Sequence, residues 1–232
     1  MRITVIQHAD FEGPGAIADW ADAHGHEARR VDAPSGAFPA PDEFDFLVIL
    51  GGPMGARDEA VHPWLAAEKR AIRAAVDAGK CVLGVCLGAQ ILAAVLGAEV
   101  GRNPEPEIGW YPIELTPDAV PSPVFGAFPP EVVVGHWHGD TFALPAGATR
   151  IASSAACENQ AFEYAGGRVI GVQFHLEWTA PDIEALLATC AADLVPGPHV
   201  ATGEEFSVGE RVHGPESRQL LYSLLDAMAH FG

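Results

Sequence analysis

Positive charge is scarce in this chain: 13 Lys and Arg face 31 Asp and Glu in 232 residues, a formal net charge of −18. A phosphate-backbone binder gathers basic side chains on one face, so no nucleic-acid partner is expected. Cysteine is scarce too. Cys81, Cys86, Cys157 and Cys190 are too few for a dense disulfide framework and lack the paired CxxC spacing of a zinc site, so they read as free thiols in a reducing compartment. After Met1 and Arg2, only Ile3 to Ile6 is apolar before Gln7 and His8. That run is too short for the core of a signal peptide, and a cytoplasmic location is expected. Cys81 to Ala98 is long enough to consider as a membrane span, but its glycines and its change of texture at Cys86 read as a buried strand followed by a buried helix. No membrane partner is expected. Internal repeats and low-complexity tracts are absent.

What is present favours a packed α/β domain. Apolar residues make up 49% of the chain and charged residues 19%, enough for a substantial core at this length. Arg2 to His8 and Asp45 to Gly52 read as strands, and Pro14 to His24 and His62 to Gly79 carry helical spacing. Cys81 to Cys86 has no polar face, the mark of a strand covered on both sides in a parallel sheet, and a helix resumes from Leu87 to about Leu96. Tyr111 to Leu115, Val132 to His136, Gln160 to Tyr164 and Val169 to Phe174 read as strands, the antiparallel additions to that sheet. A helix is predicted from Pro181 to Leu194, then a Pro- and Gly-rich connection, then a last helix from Glu216 to His230. The expected organisation is one α/β domain over 1–195 and a C-terminal extension, loop plus helix, over 196–232.

Three segments could carry chemistry. In Gly84-Val85-Cys86-Leu87-Gly88-Ala89-Gln90 a nucleophile stands at a strand end between two glycines and leads straight into a helix, whose start favours thiolate. Taken alone, Cys86 could equally be a small core residue. At the end of Val169 to Phe174, His175 and Glu177 are two residues apart and can share one side of an extended segment, as base and orienting carboxylate. The strand Ile49-Leu50 runs into Gly51-Gly52-Pro53, whose backbone N–H groups could meet an oxyanion. Gly52, with Leu87 just after the nucleophile, is the candidate donor. The turn lacks the GK[ST] ending of a phosphate loop.

Together, GGP after a strand, GVCLGAQ and GVQFH-x-E, in this order and at these separations, resemble the class I glutamine amidotransferases over roughly residues 1 to 190. Val134 to Asp140, with His138-Gly139-Asp140, resembles the amidotransferase domain of GMP synthetases. Glu107-Ile108-Gly109-Trp110 resembles the stand-alone GMP synthase-like amidotransferases. The resemblance implies a three-layer, flavodoxin-like fold and a Cys86–His175–Glu177 triad. It also implies an oxyanion hole at Gly52 and Leu87, a glutamine contact from Gln90, and substrate α-group contacts around Trp137, His138 and Gly139. No cofactor and no metal are implied. The usual HPE is here His175-Leu176-Glu177, and no SGG-x-D-S motif of an ATP pyrophosphatase is present. A separate synthetase or ligase partner is therefore expected.

Three other readings compete. The same triad would serve a self-sufficient γ-glutamyl peptidase or hydrolase with a more open pocket. A non-catalytic regulatory homologue would keep the fold without the reaction. A metalloenzyme could use His136 and His138 on one strand face with Asp140 at the next same-face position.

Overall fold

The computed structural model describes residues 1–231. Strands β1 (Arg2–Gln7), β2 (Glu27–Asp32), β3 (Phe46–Ile49), β4 (Cys81–Val85) and β9 (Val169–Val172) run parallel to one another. Strands β5 (Val100–Leu115), β6 (Glu131–Phe142), β7 (Thr149–Ser153) and β8 (Ala161–Tyr164) continue the sheet through antiparallel pairings. The whole is one sheet in the order β2-β1-β3-β4-β9-β8-β7-β5-β6. Its helices are α1 (Ala16–Ala23), α2 (Trp64–Asp77), α3 (Leu87–Val95), α4 (Ala180–Cys190) and α5 (Gly203–Ala229). The expected α/β layering is therefore present, with helices on both faces.

The central strands have no polar face because both faces are covered, and alternate residues feed two separate cores. Ile3, Val5, Phe46, Val48 and Leu83 pack with Trp20 of α1 and with Leu221 and Leu225 of α5. Leu47, Ile49 and Val82 point the other way, onto Leu65 and Ile72 of α2 and Ile91 and Leu92 of α3. The parallel half has the strand order of a doubly wound sheet, in which ligands bind beyond the carboxyl ends of the strands. Loops leaving β1, β3, β4 and β9 all emerge at that edge.

Two strands carry no signature in the sequence. β2 is the sheet's edge, Glu-Ala-Arg-Arg-Val-Asp, exposed except at Val31, and its charges guard an edge that would otherwise recruit another chain. β7 is a short middle strand of mixed polarity. β5 is longer than its predicted Tyr111 to Leu115 because a register shift between Arg102 and Glu107 absorbs Pro104 and Pro106.

The last helix also differs from expectation. It begins at Gly203 instead of Glu216, opened by a reciprocal cap. The Glu205 N–H donates to Thr202 Oγ1 (3.2 Å), and the Thr202 N–H donates to the Glu205 carboxylate (2.8 Å). Gly209 lies inside the helix because a side chain there would run into the Trp110 indole. Leu221, Leu224, Leu225 and Met228 enter the same core as β1 and β4, so the expected C-terminal extension contributes to the main core.

This packing makes Leu225→Ala expensive. Its side chain is fully buried, so truncation is expected to lower the unfolding free energy by about 2–5 kcal/mol in urea titration, with a single transition retained. A loss below about 0.5 kcal/mol would place α5 outside the cooperative unit.

Candidate active site

At Cys86 the chain turns from β4 into α3 with φ 52° and ψ −110°, a conformation rarely tolerated away from glycine and costing on the order of 1–3 kcal/mol. Its neighbours explain how it is held. A Cβ on Gly84 would stand 2.6 Å from the Gly88 carbonyl oxygen, and one on Gly88 would collide with the carbonyl of Ile49. Both glycines are thus needed for α3 to dock against β3 and β4 without a spacer. The Cys86 N–H donates to Val172 O at 2.8 Å, tying the turn to β9. The Leu87 N–H stands at the first helical position, where no intrahelical acceptor exists, and the helix terminus adds partial positive charge beside the sulfur.

Beyond β9, which ends at Val172, two residues before the predicted Phe174, the chain bends at Gln173 and Phe174, and the His175 N–H donates to Gly135 O of β6 at 2.8 Å. His175 Nδ1 meets Glu177 Oε1 at 2.6 Å, while Glu177 Oε2 accepts from the Leu176 N–H at 3.0 Å. Burial would push the His175 imidazole down. The charge of Glu177, the nearby Cys86 sulfur and the hydrogen bond that Nδ1 donates to the Glu177 carboxylate outweigh burial and raise it to about 10. Trp178 stacks on the ring, centroids 3.8 Å apart and planes 13° from parallel, in space left by Gly135. Two helices grip this loop: the Ala16 N–H of α1 donates to Glu177 O (2.8 Å) and Arg218 Nη1 of α5 to Trp178 O (2.7 Å).

The turn after β3 faces Cys86 from one side. Gly52 is packed so closely that a Cβ would lie 2.8 Å from His8 Cβ and 2.9 Å from Leu87 Cδ2, so the Leu87 side chain lies against the Gly52 turn. Among the described residues the Gly52 N–H has no backbone acceptor. His8 Nδ1 meets Gly51 O at 2.9 Å, and its Nε2 meets Glu68 of α2 at 2.9 Å. Glu12, from the loop after β1, brings its carboxylate against Gly51 and toward His175. Burial there pushes this carboxyl above its ordinary range.

The opposite wall is β6. Cys86 Sγ lies 3.7 Å from Trp137 O, and Gln173 Nε2 reaches the same sulfur at 3.6 Å. Gln90 Nε2 donates to Gln173 Oε1 (3.1 Å) and to Asp140 O (3.3 Å). The His138 side chain turns away from the site. Its Nδ1 meets Asp140 O at 2.9 Å, and its Nε2 meets the Glu107 carboxylate at 3.0 Å behind the wall. Glu107 also accepts from Gln160 Nε2 (2.6 Å) and Ser154 Oγ (2.7 Å). Burial opposes its charge, but the bonds from His138 and Ser154 and the nearby histidines hold the carboxyl down at about 2. Between these walls lies a cavity of about 780 Å³, reached by Gly52, Cys86, Leu87, Gln90, Trp137, His138, Gly139 and His175.

The structure thus brings the sequence-predicted residues to one place, with Glu177 directly behind His175. It does not assemble the alternative metal set. His136 points to Tyr111 O (3.3 Å), and burial lowers it to about 4, so it does not converge with His138 and Asp140. Glu107, His138 and Cys157 do converge, within 4.8 Å, but the carboxylate is already taken up by three donors and burial pushes the Cys157 thiol up. Residues without a predicted role are Gln173, Glu12, Glu107 and the pair His8–Glu68. Of these only Gln173 has a local signal, its position two residues before His175.

Comparison with known proteins places the chain in a family. The family description "Glutamine amidotransferase class-I" matches residues 26–190. The glutamine amidotransferase-like protein YfeJ of Salmonella typhimurium is 40% identical over 192 residues, 81% of this chain and 80% of its own length. One subunit of the glutamine-hydrolysing GMP synthase of Ignicoccus hospitalis is 32% identical over 156 residues, 66% of this chain and 77% of its own length. A crystal structure of a glutamine amidotransferase from Thermotoga maritima superposes with a TM-score of 0.89 at 33% identity, covering 98% of this chain and 97% of that one. The chain belongs to the class I glutamine amidotransferase family.

Proposed function

We propose that this chain hydrolyses the side-chain amide of glutamine through a thioester on Cys86 and supplies the ammonia to a separate synthetase protein. The observation that carries this reading is the buried His175 imidazole, held by Glu177 at 2.6 Å and facing the same cavity as Cys86. The Cys86 sulfur, as thiolate partner of the imidazolium, attacks the γ-carbonyl carbon, and the carbonyl oxygen takes the negative charge. That oxyanion is met by the Gly52 and Leu87 N–H groups. When the carbonyl re-forms, the amide nitrogen leaves as ammonia with the proton of His175. The neutral imidazole then takes a proton from water, which attacks the thioester and releases glutamate and the sulfur. Gln90 and the backbone of Trp137 and Gly139 receive the α-end of the substrate. A relative that is itself one subunit of a GMP synthase supports the synthetase partner.

A second reading has one observation in its favour: a cavity of about 780 Å³ is larger than free glutamine needs, which suits a γ-glutamyl compound with a bulkier leaving amine. Turnover of glutamine and of γ-glutamyl dipeptides by the purified chain separates the two. Efficient dipeptide cleavage with negligible ammonia release from glutamine would replace the first reading by the second.

Cys86→Ala and His175→Ala are each expected to lower turnover by about 10⁴-fold or more with an unchanged circular dichroism spectrum, because the two act as one unit. Full activity in Cys86→Ala would reject the mechanism.

The His175–Glu177 pair also links stability to pH. The folded imidazole titrates at about 10, above its ordinary value of about 6.5, so its contribution to stability is complete below about pH 6.5 and is lost as pH rises through 10. Glu177→Gln is therefore expected to be destabilised relative to the parent at pH 6 to 7, and the gap should close toward pH 10.5 in denaturant titrations. A gap independent of pH would show that the ion pair is not its source.

A further inference from the structure

Two histidines outside the triad are built into the site in the same way. His8 presents Nδ1 to Gly51 O at 2.9 Å and Nε2 to Glu68 at 2.9 Å. His138 presents Nδ1 to Asp140 O at 2.9 Å and Nε2 to Glu107 at 3.0 Å. Both pairs are sealed from solvent: the side chains are 0% exposed in the first and 1% in the second. A carbonyl oxygen can only accept, so Nδ1 carries a hydrogen in each ring. At Nε2 each ring shares a proton with a buried carboxyl group. Each ring therefore ties a buried glutamate at Nε2 to a backbone carbonyl of a cavity wall at Nδ1.

The two walls do different work in the proposed reaction, on which this inference rests. Gly51 O belongs to the turn that aims the Gly52 N–H at the developing oxyanion, a contact that strengthens only as charge appears. Asp140 O belongs to the β6 segment whose backbone receives the α-end of the substrate, and it also takes the Gln90 amide at 3.3 Å. We propose that His8–Glu68 and His138–Glu107 are two positioning braces of one design, the first setting transition-state stabilisation at the Gly51–Gly52 turn, the second setting substrate binding at the Trp137–Asp140 wall. Neither imidazole touches the reacting atoms.

The test exploits the shape of the ring. Glutamine in place of histidine reaches the Nε2 position and can still donate to the buried glutamate, but leaves the carbonyl unbraced. Asparagine keeps a donor near the Nδ1 position. His8→Gln is expected to lower kcat by about 10- to 100-fold with KM within about threefold, while His138→Gln raises KM about tenfold or more with kcat within about threefold. Alkylation of Cys86 by iodoacetamide, which has neither α-groups nor an oxyanion to stabilise, should stay within about twofold of the parent in both. His8→Asn and His138→Asn should recover most of each loss. Kinetics are measured with whichever of glutamine or a γ-glutamyl dipeptide the parent turns over. The same kinetic parameter failing in both Gln variants, lost iodoacetamide reactivity, or Asn variants no better than Gln would each overturn the proposal. So would failure of all four variants to fold, since the pairs would then be stability elements only. Turnover of neither substrate by the parent would reject the proposed function and this inference together, whereas a normal parent with unsplit variants rejects the inference alone.

Discussion

The site depends on how closely the first turn of α3 approaches the ends of β3 and β4. Only a hydrogen fits at Gly84 and Gly88, and that contact holds Cys86 in a backbone conformation it would not choose. The approach does three things at once. It lifts the sulfur above the sheet edge, it leaves the Leu87 N–H without an intrahelical acceptor beside it, and it brings the Leu87 side chain against Gly52 so that the two turns share one corner. Strain at one residue is offset by packing across two strands and a helix.

Around that corner the protein buries charge on a scale that stability alone does not favour. Three imidazole–carboxylate pairs, His8–Glu68, His138–Glu107 and His175–Glu177, lie within the walls of one cavity. Removing such pairs from water costs several kcal/mol per ion, and apolar replacements are often as stable or more so. Their directional bonds offer what apolar packing does not, namely fixed angles for carbonyls and N–H groups that must meet a substrate. The loop carrying His175 is also held from outside by α1 and α5, the first on the Glu177 carbonyl and the second on the Trp178 carbonyl.

Local features of this design are legible in the sequence and distant ones are not. The nucleophile turn, the Gly51–Gly52 turn and the His175-x-Glu177 spacing are each contained in a few consecutive residues, so residue type and spacing identify them. Glu68 lies 60 residues from His8, and Glu107 lies 31 from His138. No periodicity joins such pairs, and a buried glutamate on a helix looks like a solvated one until its neighbours are placed. The start of α5 is hidden for a related reason. Gly209 and Gly214 have the texture of a loop, whereas the fold uses them for close contacts with Trp110, Glu210 and Arg218. The cap at Thr202 and Glu205 is visible in the sequence and outweighs them. Strand β2 escapes because an edge strand protected by charge has the polarity of a loop.

The burial that serves packing also sorts the four sulfurs. Cys81, Cys157 and Cys190 have their thiols pushed up by burial, whereas Cys86 stands at the start of α3 in the cavity that His175 also lines. Oxidants and electrophiles act on thiolate, so the three raised thiols are poor targets for them. On the proposed reading, a single oxygen added to the Cys86 sulfur would stop the reaction. A nucleophile at Cys86 would tie the proposed reaction to the redox state around the protein.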